Sequence, residues 1–281
     1  MSIQVVTDST SDIPADLINE LGIRVVPIYV RFGDKTYRDG LDITPGEFYP
    51  KLLSSKFHPA TSQPSPQDFS TVYKEYSESS YGMVSVHISS KISGTYNSAW
   101  LAKKDAGLNC PIEVIDSKMN SAGLGLVVLA AARKAKAGGG FAEVVAEANR
   151  AIDEIRMFGM FETMLYLARG GRVNKAIAAV SRFLHVMPLL TFKDGEIVRA
   201  GLVRTVTKGT DKVYGFVKNN MPVAEAVVVH SSVPERANHL KELVEKISSA
   251  PVSIWELGSG LGVHGGPGVL LAAIRKQTEN T

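Results

Sequence analysis

The sequence predicts an α/β protein of two domains: an N-terminal, mostly parallel α/β/α sandwich over residues 1–156 and a C-terminal α+β domain over residues 157–281. Short apolar runs alternate with helix signals through the first half, as in a parallel sheet covered on both faces. After the helical stretch 141–155 this alternation stops, and an Asp-Gly pair between two apolar runs is typical of a β-hairpin. A length of 281 residues and 44% hydrophobic content suit two packed cores.

The first elements are signalled by their ends. The apolar run 3–7 predicts a strand, Pro14 suits the first turn of a helix that ends at Leu21, and the run 23–32 predicts a second strand. Thr44-Pro45-Gly46-Glu47 has the form of a capping box with proline at the first helical position. Ser65-Pro66-Gln67-Asp68 opens a further helix in the same way.

Hydroxyl side chains follow three of the predicted strands. Strands are predicted at 83–88 and 113–116, and the segment Ser89 to Ala99 after the first of them predicts a turn and a helix that begins at Gly94 or Thr95. The free N–H groups and positive dipole of such a helix start bind phosphate or carboxylate, although ordinary N-capping explains the same residues. Thr7-Asp8-Ser9-Thr10 and Asp116-Ser117 with Asn120-Ser121 end two other strands similarly. Ligands of parallel sheets bind at these strand ends, which favours a binding site there.

The second half predicts a mixed sheet. Strands and helices are expected in this order: a strand at 158–161, a helix to Leu167, a turn at 169–172, a helix from Asn174, a hairpin of strands 186–192 and 197–206 around Asp194-Gly195, and strands at 226–229 and 252–256. The segment 262–268 predicts a glycine-rich loop, followed by an apolar helix over 269–274. We expect a ligand cleft between the two domains.

Composition excludes several classes of protein. The net charge of +3 comes from dispersed residues without a Lys/Arg block, which argues against nucleic acid as a partner. Cys110 is the only cysteine, so a disulfide framework or a Cys-based metal site cannot form. The N-terminus has no signal-peptide pattern, and the longest apolar stretch is too short to span a bilayer. We expect a cytoplasmic protein that is not an integral membrane protein.

Signatures of common enzyme sites are absent as well. The chain has no Gly-x-Ser-x-Gly elbow, no Walker-type loop and no metal-binding His or Cys spacing, and Gly123-Leu124-Gly125 lacks the third glycine of a dinucleotide fingerprint. We therefore expect no cofactor and no metal. The remaining candidate residues are hydroxyl side chains, a few arginines and His264. They suit the binding of an acidic ligand better than the cleavage of a bond. The apolar residues of 158–165 and 183–190 are typical of a core and would also suit a tunnel for an alkyl chain.

Seven motifs, taken together and in order, resemble the DegV family, whose members bind fatty acids and include the fatty-acid-binding subunits of bacterial fatty-acid kinase. They are Thr7-Asp8-Ser9-Thr10-Ser11-Asp12, Thr61-Ser62-Gln63-Pro64-Ser65-Pro66, Ser93-Gly94-Thr95-Tyr96-Asn97-Ser98-Ala99, Asp116-Ser117, Gly170-Gly171-Arg172, Arg204-Thr205 and His264-Gly265-Gly266-Pro267-Gly268. The resemblance covers nearly the whole chain. It implies a DegV-like fold that buries a long-chain fatty acid, with the carboxylate near the surface of the cleft.

The resemblance also implies which residues form the site. Thr61 and Ser93 would bind the carboxylate, and His264 and Arg172 would complete the network. The full carboxylate set is Thr61, Ser62, Ser93, Gly94, Thr95, Arg172, His264 and Gly265. Arg204 and Arg169 would engage the kinase. Arg169 stands where the family often has lysine before Gly-Gly-Arg, which keeps the charge and changes its geometry.

The implied function is presentation rather than catalysis. A lipid-binding protein would hold the fatty acid while the catalytic subunit of a fatty-acid kinase phosphorylates its carboxylate to an acyl phosphate. One alternative is a phosphotransferase or hydrolase acting on a small acyl or phosphate substrate, with His264 beside Ser93 or Asp8. Another is a scaffold without a ligand.

Overall fold

The computed structural model describes residues 2–105, 107–171 and 186–277. The strands are β1 Ile3–Asp8, β2 Arg24–Val26, β3 Tyr29–Phe32, β4 Lys35–Arg38, β5 Ala60–Ser62, β6 Gly82–His87, β7 Ile112–Asp116, β8 Ile155–Met160, β9 Met187–Lys193, β10 Glu196–Val203, β11 Val223–His230, β12 Val252–Glu256 and β13 Leu270–Lys276. The helices are α1 Ala15–Leu21, α2 Pro45–Ser54, α3 Pro66–Ser77, α4 Thr95–Asp105, α5 Ser121–Lys136, α6 Phe141–Glu154, α7 Leu165–Gly170, α8 Val206–Asn219, α9 Pro234–Glu245 and α10 Ser259–Gly265. A 3-10 turn, Ser9–Ser11, follows β1.

The described strands form three sheets. A parallel four-stranded sheet has the order β2-β1-β6-β7. A six-stranded sheet has the order β10-β9-β8-β13-β11-β12, and all its neighbours are antiparallel except β11 and β12. A small antiparallel sheet of three strands has the order β4-β3-β5. The parallel and mixed sheets confirm the predicted α/β and α+β parts of the fold, whereas the division at residue 156 stays a prediction.

Helix α5 lies between the two larger sheets. It contacts β1 and β6 on one side and β8 and β13 on the other, with α6 packed beside it. Residues 121–132 of α5 are all buried, as expected of a helix that is apolar on every side. Gly125 permits the close packing, since a Cβ there would lie 2.4 Å from the Trp255 ring and 2.7 Å from the carbonyl oxygen of Ser11. The outer faces of the sheets are covered by α3 and α4 and by α8 and α9.

The run 23–32, predicted as one strand, is two strands in different sheets. Strand β2 pairs with β1, and β3 pairs with β4 and β5. Pro27 separates them because it has no N–H to donate to a ladder. Ile28 then donates its N–H to Ser9 Oγ at 3.1 Å, which turns the chain towards the small sheet.

The prediction for 262–274 was wrong in two respects. Residues 259–265, partly predicted as a loop, form helix α10, and the apolar run predicted as a helix is the strand β13. A short apolar run is compatible with a buried helix or a buried strand, and periodicity cannot separate them. Pairing with neighbouring strands determines that residues 270–276 form a strand, because β13 lies between β8 and β11 in the middle of the sheet.

The helix predicted from Asn174, and the apolar residues Phe183 and Leu184, lie outside the described residues. Among the residues that the structure describes, no helix has the length and apolar character that a membrane span requires.

Candidate functional site

A cavity lies beyond the carboxyl ends of β1, β6 and β7, facing β8, β13, the hairpin β9–β10 and α10. It comprises about 980 Å³ of space between atoms, including open solvent at its mouth. The position agrees with the rule that parallel sheets bind ligands beyond the carboxyl ends of their strands. The structure thus brings the three hydroxyl-rich strand ends to one cavity.

Most of the cavity wall is apolar. The apolar lining residues come from the six-stranded sheet, from α7 and α10, and from segments next to β3, β6, β8 and β12: Ile28, Ile88, Ile92, Met157, Phe161, Leu167, Leu190, Phe192, Ile197, Leu257, Leu261 and Leu271. Surfaces of this kind favour an alkyl chain over water. The polar lining residues are Thr10, Thr61, Ser62, Gln63, Ser93, Asn120, Ser121, Thr191 and His264, and Gly159, Gly260 and Gly265 complete the wall. These lining residues of the described chain include no lysine or arginine.

Thr61 and His264 meet at this cavity although 203 residues separate them. Thr61 Oγ1 lies 2.8 Å from His264 Nε2. Strand β5 fixes Thr61 opposite Val30 of β3, and His264 lies in the last turn of α10. Both residues line the cavity and are joined by this hydrogen bond, and a paired hydroxyl and imidazole suit the binding of an oxyanion.

Close packing of α10 determines where His264 lies. A Cβ at Gly262 would lie 2.7 Å from the Phe48 ring, and one at Gly170 would lie 2.0 Å from His264 Nδ1. Helix α2 therefore packs closely against α10 at Gly262, and α7 packs closely against it at Gly170. The N-terminal end of α10 is held by Asp12, which accepts a hydrogen bond from the Gly258 N–H at 2.9 Å.

The turn after β6 forms a second polar element of the cavity. Ser93 Oγ lies 2.8 Å from Thr95 Oγ1, and the Thr95 N–H donates to Ser93 Oγ at 3.3 Å. Helix α4 begins at Thr95, as predicted. A Cβ at Gly94 would lie 2.2 Å from Gln63 Oε1, so glycine lets the segment after β5 cross this turn.

The structure places the predicted site residues in four groups. Thr61, Ser62, Ser93, His264 and Gly265 line the cavity. Gly94 and Thr95 belong to the same turn as Ser93 without lining the cavity themselves, and Thr95 is fully buried. Arg169 lies near the end of α7, and Arg204 is exposed directly after β10. Arg172 lies outside the described residues.

A buried hydrogen-bond chain behind the cavity was missed by the sequence reasoning. Tyr73 Oη donates to Ser85 Oγ at 2.8 Å, Ser85 Oγ lies 2.7 Å from His87 Nε2, and His87 Nδ1 lies 3.0 Å from Asp8 Oδ2. All four side chains are fully buried, so this Ser-His-Asp arrangement has no access to a substrate. Ser85 and His87 share one face of β6 because side chains alternate along a strand, and this spacing is the signal that was available.

Two carboxyl groups, of the buried Asp39 and the half-buried Asp12, lie at the junction of the cavity and α10. Asp12 Oδ2 accepts a 2.6 Å hydrogen bond from Ser121 Oγ, and Asp39 Oδ2 accepts one of 2.9 Å from Ser9 Oγ. Burial raises the pKa of Asp39 to about 6 and raises the pKa of Asp12 well above its usual value. Desolvation disfavours the charged form of both groups, and hydrogen bonds partly oppose that effect.

Comparison with known proteins places this architecture in one family. Residues 2–276 match the family described as "Uncharacterised protein, DegV family COG1307". A DegV domain-containing protein from Caldanaerobacter subterraneus is 36% identical over 269 residues, which cover 94% of this chain and 95% of that protein.

Solved structures with the same fold include proteins described by their ligands. A fatty-acid-binding DegV-family protein from Thermus thermophilus is 34% identical, has a TM-score of 0.91, and aligns over 99% of this chain and 100% of its own. A stearic-acid-binding protein from Eubacterium ventriosum is 28% identical, with a TM-score of 0.88 and 98% of both chains covered. The match over nearly the whole sequence, together with the shared fold, shows that this chain belongs to the DegV family.

Proposed function

We propose that this protein binds a long-chain fatty acid in the cavity, with the acyl chain against the apolar wall and the carboxylate at Thr61, Ser93 and His264. The observation that carries the proposal is the combination of an extensive apolar wall with a hydroxyl-imidazole pair at one cavity. The fatty-acid-binding relatives from Thermus thermophilus and Eubacterium ventriosum support it.

The acyl chain supplies most of the binding free energy in this proposal. Each methylene group moved from water into an apolar site contributes about 0.8 kcal/mol. Side chains such as Ile92, Leu190 and Phe192 provide the surface that replaces water around the chain. Affinity should therefore rise steadily with chain length until the cavity is filled.

The carboxylate needs several donors because removal of its charge from water is strongly unfavourable. When Thr95 Oγ1 donates the hydrogen bond to Ser93 Oγ, the proton of the Ser93 hydroxyl is available to a ligand in the cavity. When His264 Nε2 carries the proton and donates it to Thr61 Oγ1, the Thr61 hydroxyl supplies another donor for the carboxylate. The proposed carboxylate site also comprises Ser62, Gly94, Thr95, Gly265 and Arg172.

We further propose that the protein is the non-catalytic partner of a fatty-acid kinase. The kinase would transfer the γ-phosphoryl group of ATP to a carboxylate oxygen, which yields ADP and an acyl phosphate that stays bound. Arg204, exposed after β10, and Arg169, near the end of α7, are the proposed contacts to the kinase. The hydrogen bond of His264 to Thr61, rather than to a nucleophilic hydroxyl of Ser93, favours holding over catalysis.

A competition experiment tests the carboxylate site. Delipidated protein is titrated with palmitate and with 1-hexadecanol, which has the same chain without the charge. We expect wild type to prefer palmitate, and Ser93→Ala to lose much of that preference because a donor is missing. Ser79→Ala, at an exposed serine after α3, is the matched control. Equal affinity of wild type for the two ligands would refute the proposed site.

A coupled reaction tests the kinase proposal. The loaded protein, a bacterial fatty-acid kinase subunit and ATP are incubated together, and hydroxylamine traps acyl phosphate as a hydroxamate. Hydroxamate should form only when all three are present. Phosphate release or hydroxamate formation without the kinase subunit would favour the phosphotransferase or hydrolase instead.

A further inference from the structure

We propose that the cavity has a second polar subsite, formed by Thr10, Asn120 and Ser121, which accepts a hydroxyl group on carbon 2 or 3 of the bound acid. This hydroxyl subsite extends the proposed function, on which it rests, to a class of ligand: 2- and 3-hydroxy fatty acids. All three residues line the cavity, and the proposed carboxylate site uses none of them.

Thr10 presents a hydrogen-bond acceptor to the cavity. Its N–H donates to Asp8 Oδ1 at 3.1 Å, and its hydroxyl donates to the same oxygen. Asp8 Oδ2 lies 3.0 Å from His87 Nδ1 and accepts from the Ile88 N–H at 3.1 Å, so the carboxyl group is held in place from both sides. The Thr10 hydroxyl proton is therefore used in the hydrogen bond to Asp8, and only the lone pairs of the hydroxyl oxygen remain for a ligand.

Asn120 supplies the complementary donor. It occupies the N-cap position of α5, yet its side chain makes no capping hydrogen bond and has no other hydrogen bond within residues 2–105, 107–171 and 186–277. The amide therefore has an NH2 group and a carbonyl oxygen available. Ser121 next to it is bonded through its hydroxyl to Asp12. A ligand hydroxyl can accept from Asn120 and donate to Thr10, which satisfies both of its hydrogen-bonding functions.

The subsite selects a hydroxyl rather than a carboxylate. A carboxylate oxygen has only lone pairs, so it would face the lone pairs of Thr10 without a proton between them. The donors for a carboxylate lie instead at Thr61 and at the Ser93 turn. The two polar regions of the cavity thus differ in chemistry, and a ligand that carries both groups near one end matches both.

Direct contacts between the strand-end turns bring the two regions close together. The Ile88 N–H donates to Asp8, and the Ser89 N–H donates to the Met119 carbonyl oxygen at 2.8 Å. Strand β6, whose turn carries Ser93, lies between β1 and β7, and neighbouring strands are about 4.8 Å apart. The proposal therefore places a hydroxyl on carbon 2 or 3 at the subsite and a terminal hydroxyl against the apolar wall.

A ligand panel tests the subsite. Delipidated protein is titrated with palmitate and with its 2-hydroxy, 3-hydroxy and 16-hydroxy derivatives. Wild type should bind the 2- or 3-hydroxy acid about 3- to 10-fold more tightly than palmitate and should bind the 16-hydroxy acid more weakly. Asn120→Ala should abolish that preference and leave palmitate affinity within about twofold. The matched control is Asn219→Ala, at an exposed asparagine that ends α8.

Two outcomes would overturn the inference. Wild type could bind neither hydroxy acid more tightly than palmitate, or Asn120→Ala could weaken palmitate and the hydroxy acids equally, which would make Asn120 part of a general site. Palmitate binding itself reports on the proposed function. If palmitate fails to bind while a 2- or 3-hydroxy acid binds through Asn120, the subsite stands and the simple fatty-acid ligand is wrong. If none of the four acids binds, both proposals fail.

Discussion

Replacement of Thr61 by valine should weaken palmitate binding while the cavity keeps its shape. Valine has nearly the volume of threonine and suits a strand, so the change exchanges Oγ1 for a methyl group. That exchange removes the 2.8 Å contact with His264 Nε2 and one donor for the carboxylate. A hydrogen bond to a charged group contributes about 1.5–3 kcal/mol, so the dissociation constant should rise about 10- to 150-fold.

Isothermal titration calorimetry of delipidated protein measures this effect directly. Thr36→Val is the matched control, because Thr36 is an exposed threonine on β4 of the same small sheet. The control should bind palmitate like wild type, and urea unfolding should show that both variants are folded. A Thr61→Val protein with palmitate affinity within twofold of wild type would refute the assignment of the carboxylate to Thr61.

Three further predictions concern the kinase contact, the central helix and a buried carboxyl group. Arg204→Ala should retain palmitate binding and lose most of the kinase-dependent hydroxamate formation. Arg199→Ala, at an exposed arginine within β10, should retain both properties, and an equal loss of hydroxamate formation in the two variants would contradict a specific contact. Gly125→Ala should lower the free energy of unfolding by about 1–3 kcal/mol, since its Cβ would lie 2.4 Å from an aromatic ring. Gly215→Ala in α8, where an added Cβ would meet no atom within 4 Å apart from its own helix backbone and chain neighbours, should raise the free energy of unfolding by about 0.5–1 kcal/mol, and urea denaturation measures both changes. Burial raises the pKa of Asp39 from 3.8 to about 6, so its ionised form destabilises the fold above pH 6 by about 3 kcal/mol, and this effect is lost as the pH falls towards 4. The unfolding free energy of wild type should therefore rise relative to that of Asp39→Asn between pH 7 and pH 4, and a constant difference would contradict it.

Local chemistry accounts for the elements that the sequence predicted well. The capping boxes at Thr44 and Ser65 are present, with the Thr44 N–H donating to Glu47 at 2.9 Å and the Ser65 N–H donating to Asp68 at 2.7 Å. The hairpin at Asp194-Gly195 is confirmed, and both residues have positive φ, at 51° and 85°. Each of these signals is complete within four residues, so no tertiary information is needed to recognise it.

Elements that depend on distant partners could not be predicted in this way. The apolar run that became β13 fits a helix equally well until β8 and β11 are known to flank it. The break at Pro27 was present in the sequence. Which sheet each half joins, however, depends on pairing with β1 and with β4 and β5.

The site shows the same division between local and long-range information. The hydroxyl-rich strand ends were recognised individually, and the topology of a parallel sheet predicts that they lie at one edge. The contact of Thr61 with His264, across 203 residues, came from family resemblance rather than from any local pattern. The sequence does not show that the Asn120 side chain makes no capping hydrogen bond or that the Thr10 hydroxyl donates to Asp8. Both facts depend on the residues that surround these turns in the fold.

Mass spectrometry of an organic extract of the purified protein tests the central claim most directly. A fatty acid held in a buried apolar cavity should copurify, and native mass spectrometry should show one such molecule per chain. Delipidated protein should take up one palmitate and return to the same mass. An extract without fatty acid, from a protein that also fails to take up palmitate after delipidation, would contradict fatty-acid binding.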